Sequence, residues 1–247
     1  MKGDMTIKWL DSVDSTQNAV QRQMETLDNL SVIAAVSQTA GRGQRGNRWK
    51  ASPGENLTFS VLLRPGEDGI PAMEARDQFF ISQLTALAVC DLLREEGLAP
   101  MVKWPNDIYV GDRKICGMLV ENMLAGERIR TSVIGIGINV NQTAFDPELM
   151  NPTSMKKLSG RSFDTARLLE RFCLLFPARW EQDPQRLQED WLAVLYRRNE
   201  RRPYTDCRTG TVFEGTIKGI STDGRLAVEM PDGSVCYFAF KEISYIL

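Results

Sequence analysis

The chain has 247 residues, 43% of them hydrophobic, with 30 Lys+Arg against 32 Asp+Glu and a formal net charge of −2, enough to bury a core and too near neutral to carry a general nucleic-acid footprint. It contains no histidine, which excludes imidazole triads, histidine metal sites and histidine acid–base catalysis and leaves lysine, arginine, carboxylates, amides or a substrate-borne cation to do chemistry. The five cysteines, Cys90, Cys116, Cys173, Cys207 and Cys236, are odd in number and never spaced C-x-x-C, which favours a reducing cytoplasm over disulfides or structural zinc, and no run has the apolar length of a signal peptide or a membrane span.

In chain order, Thr6 to Leu10 alternates as a short strand, and Asp14-Ser15-Thr16 offers N-cap chemistry for a helix through about Glu25. Ser15 and Thr16 are the candidate caps, and a hydroxyl at a helix N-terminus can also donate to a ligand. The apolar run Val32 to Val36 has the β-branched content of a buried strand. After it, Ser37 to Trp49 reads S-Q-T-A-G-R-G-Q-R-G-N-R-W, with three glycines and three arginines in eight residues. Glycines let the backbone approach a ligand, successive N–H groups form a nest and guanidinium groups add fixed charge, so this loop suits an anion. Gly41, Gly43 and Gly46 match G-x-G-x-x-G, but Pro53, Gly54 and a second strand, Leu57 to Leu63, follow where a dinucleotide fold needs a helix. Asn47 and Arg48 stand where a Walker loop needs Lys and Ser or Thr. An RNA-binding arginine-glycine tract is normally repeated in a basic, disordered segment, and this one occurs once between apolar strands. What remains is a strand-loop-strand clamp over a phosphate-bearing small molecule, with a merely basic turn as the bland rival.

A periodic helix is predicted from Ala72 to Glu96, with Gly97 as its C′ residue. Val102 to Val110 reads as a strand interrupted at Pro105 and Asn106, and a strand break beside Lys103, Asn106 and Asp107 can aim polar groups into a pocket. The turn Gly111-Asp112 leads into Lys114 to Met123, and a second hairpin through Leu124 to Glu127 leads into Arg128 to Val140, whose alternate glycines allow close approach of a backbone, a ligand or a second subunit. Near Gly135 that strand reads as an edge open to a homodimer partner, or as a covered one. Asn151 to Ser162 reads as a loop; Asp164 caps a helix that Pro177 bends or ends; Pro184 to about Arg198 is a further helix. Arg197, Arg198, Arg201 and Arg202 before Pro203 mark a solvated boundary. Beyond it, short strands at Thr211 to Gly219, Arg225 to Glu229 and Val235 to Phe240, joined by Asp-Gly turns, predict a small antiparallel barrel or sandwich that leans on the first unit.

Two segments together carry a resemblance. G-R-G-Q-R-G-N-R-W at Gly41 to Trp49, and K-W-P-N-D-I-Y-V at Lys103 to Val110 running on to R-K-I-C-G-M-L-V-E at Arg113 to Glu121, resemble the biotin protein ligases. Asp14-Ser15-Thr16, Gln38, the G-I-G-I-N-V-N strand and the all-β tail fall in the same order. The resemblance implies an α+β fold: a mixed sheet with flanking helices, of the biotin–lipoyl ligase, class II synthetase-like kind, over residues 1–200, and an SH3-like barrel over 201–247. It also implies an ATP-dependent enzyme, working with Mg²⁺, that makes biotinyl-5′-AMP from biotin and ATP and passes the biotinyl group to a lysine of a biotin carboxyl carrier protein domain. Attack of one anion on another needs positive charge and donors at the α-phosphate, which these motifs supply without histidine.

By motif position the resemblance implies that Ser15, Thr16, Gln17, Gln38, Arg42, Gly43, Gln44, Lys114 and Gly117 contact biotin. Arg42, Arg45, Arg48, Trp49, Lys103, Asn106 and Asn139 would contact ATP or the adenylate, and Lys114, Arg42, Asp107 and Lys103 would act at the reacting centre. Bland rivals are a core Trp49, a solvated hairpin Lys114, a turn-forming Asp107 and a strand-ending Asn139. Gln44 and Asn47 stand where the family often has arginine, which bears on how tightly the adenylate is held. Only 14 residues precede Ser15, against the roughly 60 a winged helix-turn-helix needs, so the expectation is a cytoplasmic ligase that binds neither DNA nor membrane. The rival functions are a lipoate or octanoate ligase of the same fold, a non-catalytic biotin sensor and an RNA-binding module.

Overall fold

The computed structural model describes residues 5–247 apart from the side chain of Arg45; the start of the chain, Met1 to Asp4, lies outside the described residues. Its elements are β1 (Ile7–Val13), α1 (Thr16–Gln23), β2 (Val32–Gln38), β3 (Leu57–Leu63), α2 (Phe79–Glu95), β4 (Pro100–Lys103), β5 (Asp107–Val110), β6 (Arg113–Ala125), β7 (Arg128–Ile138), α3 (Met155–Ser159), α4 (Thr165–Trp180), α5 (Pro184–Ala193), β8 (Arg201–Asp206), β9 (Thr211–Ile220), β10 (Leu226–Glu229), β11 (Val235–Phe238) and β12 (Ile243–Tyr245). They build a seven-stranded mixed sheet ordered β1-β2-β3-β7-β6-β5-β4, with only β1 and β2 parallel, and a separate antiparallel sheet ordered β11-β10-β9-β8-β12.

The seven-stranded sheet is covered on both faces, and alternation along β3 shows how. Leu57, Phe59, Val61 and Leu63 point into the main core against α2 and α4, where Phe59 meets Phe172 edge-on at 4.9 Å. Leu62 points the other way, joining Ile33 and Val133 beneath Ala19 and Val20 of α1. Burying each such aromatic or aliphatic side chain contributes about 1.5–3 kcal/mol. Every residue of β3 is buried, so its two polar residues, Thr58 and Ser60, are polar groups held inside on the α1 face. They mark where the sheet stops being core.

Several elements depart from the sequence expectations. Helix α2 begins at Phe79 rather than Ala72, because the segment before it bridges Glu74 to Arg128 at the β6–β7 hairpin and then makes one 3-10 turn. Its C-terminus is as expected: Gly97 has φ +83° and donates to Arg94 O, while Leu98 donates to Leu93 O, a Schellman closure. The segment from Asn151 to Ser162 contains α3, capped by Ser154 accepting from the Lys157 N–H. Pro177 sits inside α4, which runs on to Trp180. The Gly135 strand, β7, is interior, paired with β3 and β6, so it is not an edge on which a second subunit could add. Arg197 is not solvated: it is buried and donates to Ile246 O at 2.8 Å.

That arginine belongs to a seam between the two sheets. Trp104 Nε1 donates to Gly224 O at 2.9 Å, and Tyr204, Ile217, Leu226, Val228, Phe238 and Ile243 of the smaller sheet share one hydrophobic cluster with α2 and α5.

Candidate active site

The α1 face of the sheet carries a short grid of side chains set by strand register. Thr58, Gly137 and Gly117 lie in one row across β3, β7 and β6; Ser60, Gly135 and Leu119 in the next; Leu62, Val133 and Glu121 in a third. Glycines at the centre of two rows leave a groove. Trp49 lies in it: a Cβ at Gly137 would collide with Trp49 Cε2, and one at Gly117 would come within 3.1 Å of Trp49 Cζ3. Over Gly135 lies the Gln17 amide, whose Oε1 would be 2.6 Å from a Cβ there.

Around this groove is a cavity of about 530 Å³ that brings together Ser15, Thr16, Gln17 and Gln38 with the glycine-loop residues Arg42, Gly43, Gln44, Arg48 and Trp49. Lys103, Asn106, Asp107, Lys114 and Gly117 line the same cavity. The two motif segments therefore converge. Asn139 does not join them: it is buried, off the lining, with its amide donating to Thr153 O at 2.9 Å. The side chain of Arg45 lies outside the described residues.

Each group has a local reason for its place. Ser15 is the N-cap residue of α1, yet its side chain makes no capping bond. Gln38 does that work from β2, its Oε1 accepting from the Thr16 N–H at 2.8 Å and from Thr16 Oγ1 at 3.2 Å. Ser60, fully buried, joins Thr16 Oγ1 at 2.9 Å and donates to Gln17 Oε1 at 3.2 Å. The glycine loop is a miniature hairpin, with Trp49 N–H donating to Gly41 O and Gly43 N–H to Asn47 O. Position 41 must be glycine because a Cβ would strike Trp49 O. Trp49 Nε1 and Gln44 Oε1 are buried and unpartnered among the described residues, the kind of orphan polar atom a ligand can satisfy.

Lys114 and Gly117 are three residues apart and should face opposite sides of a strand. A bulge reconciles them: Tyr109 pairs with Lys114 and Ile108 with Cys116, which leaves Ile115 extra and turns Lys114 to the cavity. Its Nζ lies 2.6 Å from Asp107 Oδ1 and 6.0 Å from the Trp49 ring centroid. Asn106 anchors the neighbouring turn, its Nδ2 donating to Met118 O at 2.5 Å and its carbonyl accepting from Met118 N–H. Lys103 is held among the rings of Tyr109 and Tyr245, and burial lowers its pKa against the opposing pull of Asp107. Arg42 is latched, its Nη2 donating to Glu121 Oε1 at 2.5 Å and its Nη1 to Asn18 Oδ1 at 2.9 Å.

The model of the biotin/lipoate A/B protein ligase family matches residues 9–139, a span that contains both motif segments. The chain belongs to that family. Among its relatives, the biotin–[acetyl-CoA-carboxylase] ligase of Paracoccus denitrificans is 30% identical over 236 residues, covering 89% of this chain and 92% of its own length. The bifunctional ligase/repressor BirA of Bacillus spizizenii is 32% identical over 213 residues, 82% of this chain, and this chain spans 62% of the length of that protein and of its Bacillus subtilis counterpart. In fold the chain is similar to the biotin protein ligase from Aquifex aeolicus in complex with biotin and ATP, with TM-score 0.78 at 24% identity over 97% of each chain.

Three further residues of this site carry no plain signal of a role in the sequence. Ser60 was visible as a hydroxyl in an otherwise apolar strand, L-T-F-S-V-L-L. Glu121, which holds Arg42 and accepts from Gln17 Nε2 at 3.0 Å and Gln21 Nε2 at 2.8 Å, is the last residue of R-K-I-C-G-M-L-V-E, and its place in the strand alternation is its one signal. Tyr245 reaches the cavity from the second sheet, and nothing in the local sequence of a short terminal strand announces that.

Proposed function

We propose that this chain is a biotin protein ligase: it joins biotin to ATP as biotinyl-5′-AMP with release of pyrophosphate, then transfers the biotinyl group to a lysine of a biotin carboxyl carrier domain. The observation that carries the reading is the meeting of the glycine loop and the Trp-Pro-Asn-Asp turn in one groove with a glycine floor. The names of its relatives and the biotin and ATP in its structural neighbour support it.

In the first step a carboxylate oxygen of biotin bonds to the α-phosphorus of ATP and the bond to the pyrophosphate oxygen breaks. Lys114, Lys103 and Arg42 supply the fixed positive charge that such an anion–anion reaction requires, in a site where donors preorganised for the developing charge contribute most. The polar cluster of Thr16, Gln17, Gln38 and Ser60 matches the donor and acceptor needs of a ureido ring, while Trp49 offers a flat apolar face to the base or the acyl chain. In the second step the carrier lysine's nitrogen bonds to the acyl carbon, AMP departs, and Asp107, beside Lys114, is the carboxylate placed to take the amine's proton. Mg²⁺ would travel on the triphosphate and neutralise its charge, held mostly by phosphate and water.

We take residues 1–200 as the catalytic unit and 201–247 as a small all-β unit that completes its rim. The five cysteines are unpaired, in keeping with a reducing cytoplasm, and no helix among the described residues is long and apolar enough to cross a membrane. The test is mass spectrometry of a carrier domain incubated with the protein, biotin and MgATP, with pyrophosphate release followed in parallel. A biotinyl mass shift on one lysine supports the reading. Tight binding of lipoic acid with no biotin signal in calorimetry would replace it with the lipoate assignment, and absence of biotin-dependent pyrophosphate release would remove the ligase reading.

A further inference from the structure

The smaller sheet enters the cavity through its last strand, and what it meets there is the ammonium of Lys103. Nζ lies 4.4 Å from the ring centroid of Tyr245 and 5.2 Å from that of Tyr109. Two aromatic faces flank one cation, an attraction that strengthens as water is withdrawn. Water is withdrawn here: burial lowers the Lys103 pKa, Lys114 and Arg197 push it the same way, and Asp107 alone opposes them. The Tyr245 phenol oxygen is buried without a hydrogen-bond partner among the described residues, and burial holds its pKa well above the ordinary phenol value. Tyr245 therefore stays neutral and offers a ring face, not a phenolate.

The ring is fixed from three directions. Tyr245 pairs with Tyr204 across β12 and β8, and the two rings meet edge-on at 5.5 Å. Tyr196 packs at 6.0 Å. Arg197 ties down the next residue by donating to Ile246 O at 2.8 Å. A lysine stem has four rotatable bonds and a strong preference for hydration, so like charges on Lys114 and Arg197 would drive the ammonium out to solvent if no wall retained it.

We propose that Tyr245 is a positioning residue: its ring holds the Lys103 ammonium inside the cavity beside Asp107 and Lys114, which makes the C-terminal strand part of the adenylate-forming machinery. What Lys103 does there rests on the ligase reading; that Tyr245 holds it does not. The experiment has two arms for that reason. Labelling of amines by acetic anhydride, read by peptide mass spectrometry against exposed Lys50 as internal standard, needs no substrate. Tyr245→Leu is expected to raise Lys103 labelling about tenfold, the order expected for loss of a desolvated cation–ring contact, while Tyr245→Phe, which keeps the ring, stays close to wild type.

In the second arm, biotin-dependent pyrophosphate release, Tyr245→Leu lowers kcat about tenfold with the KM for biotin little changed, and Tyr245→Phe retains most of the rate. In a Lys103→Ala background Tyr245→Leu adds almost nothing. Unchanged Lys103 labelling in Tyr245→Leu, equal losses in the Phe and Leu variants, or the same loss with and without Lys103 would each overturn the proposal. Should Tyr245→Leu not fold, Tyr245→Met takes its place in both arms. A wild-type protein without pyrophosphate release would sink the ligase reading while the labelling arm still decides Tyr245.

Discussion

The two segments that converge on the cavity are held in opposite ways. The turn from Lys103 to Asp107 is built into the fold: Trp104 is 4% exposed and bonded to the second sheet, Asn106 is tied to β6, and Lys103 is walled by two tyrosines. The glycine loop closes on itself through its own backbone bonds and touches the body through the Arg42–Glu121 latch and the Trp49 ring. Under the proposed function the first segment would serve as a wall and the second as a lid: chemistry that must exclude water and then admit a protein lysine would need both, because a rigid charge array preorganises the reaction and a separable cover lets the product be reached.

The difference predicts where substitutions act. The largest effect belongs to the wall: Trp104→Ala should cost about 3–5 kcal/mol of stability, seen in chemical denaturation, and a change too small to measure would mean the turn is not anchored through the core. Lys114→Ala should lower the adenylation rate about 10²–10³-fold with a far smaller change in stability, since its ammonium is partly exposed; full activity would take Lys114 out of the site. Gly137→Ala drives a methyl into the Trp49 ring and should cost about 1–3 kcal/mol by overpacking. Adding Trp49→Ala should recover much of that, and strict additivity of the two would show that the ring does not rest on the glycine floor. For the lid, Arg42→Ala should raise the biotin dissociation rate about tenfold while stability moves by no more than about 0.5 kcal/mol; stopped-flow displacement giving the wild-type rate would mean that the loop does not close over biotin.

The smallest effect is a pH dependence. Because burial lowers the Lys103 pKa, there is a window, from that lowered value up to the ordinary lysine value of about 10.4, in which the unfolded chain keeps a proton that the folded chain has released. Stability from this group rises with pH through that window and is fullest above it. Tyr196 and Tyr204, pushed up to about 12 by burial, act in the opposite sense at high pH, so the contribution is isolated by comparison with Lys103→Met. The stability advantage of that variant should shrink as pH rises toward about 10.4; a constant difference would mean that Lys103 is not desolvated.

Much of this architecture is legible in the residues. The bounds of β3 coincide with the apolar run Leu57 to Leu63, the Schellman glycine follows α2, and Asp164 accepts from Ala166 and Arg167 N–H as the cap of α4. These are local signals, readable because periodicity, capping and positive φ are properties of a few adjacent residues. Helix α3 is five residues long, too short for a period to register. Segment 72–78 has helical composition but is claimed by the β6–β7 hairpin, and Pro177 is tolerated where Phe172, Phe176 and Trp180 already bury that face of α4. Arg197 reads as one more charge in a basic run and is instead a tie between the sheets.

By itself the sequence determined the strand alternation, the glycines that only a close approach explains, and the absence of any imidazole, and with these the chemistry available to the site. Tertiary structure decided which faces meet: the bulge at Ile115 that turns Lys114 toward Gly117, the interior position of β7, and the arrival of Tyr245 at Lys103 from 142 residues away. Those outcomes depend on register and on the docking of one sheet against another, which are set by the sum of many weak contacts and leave no mark on the residues beside them.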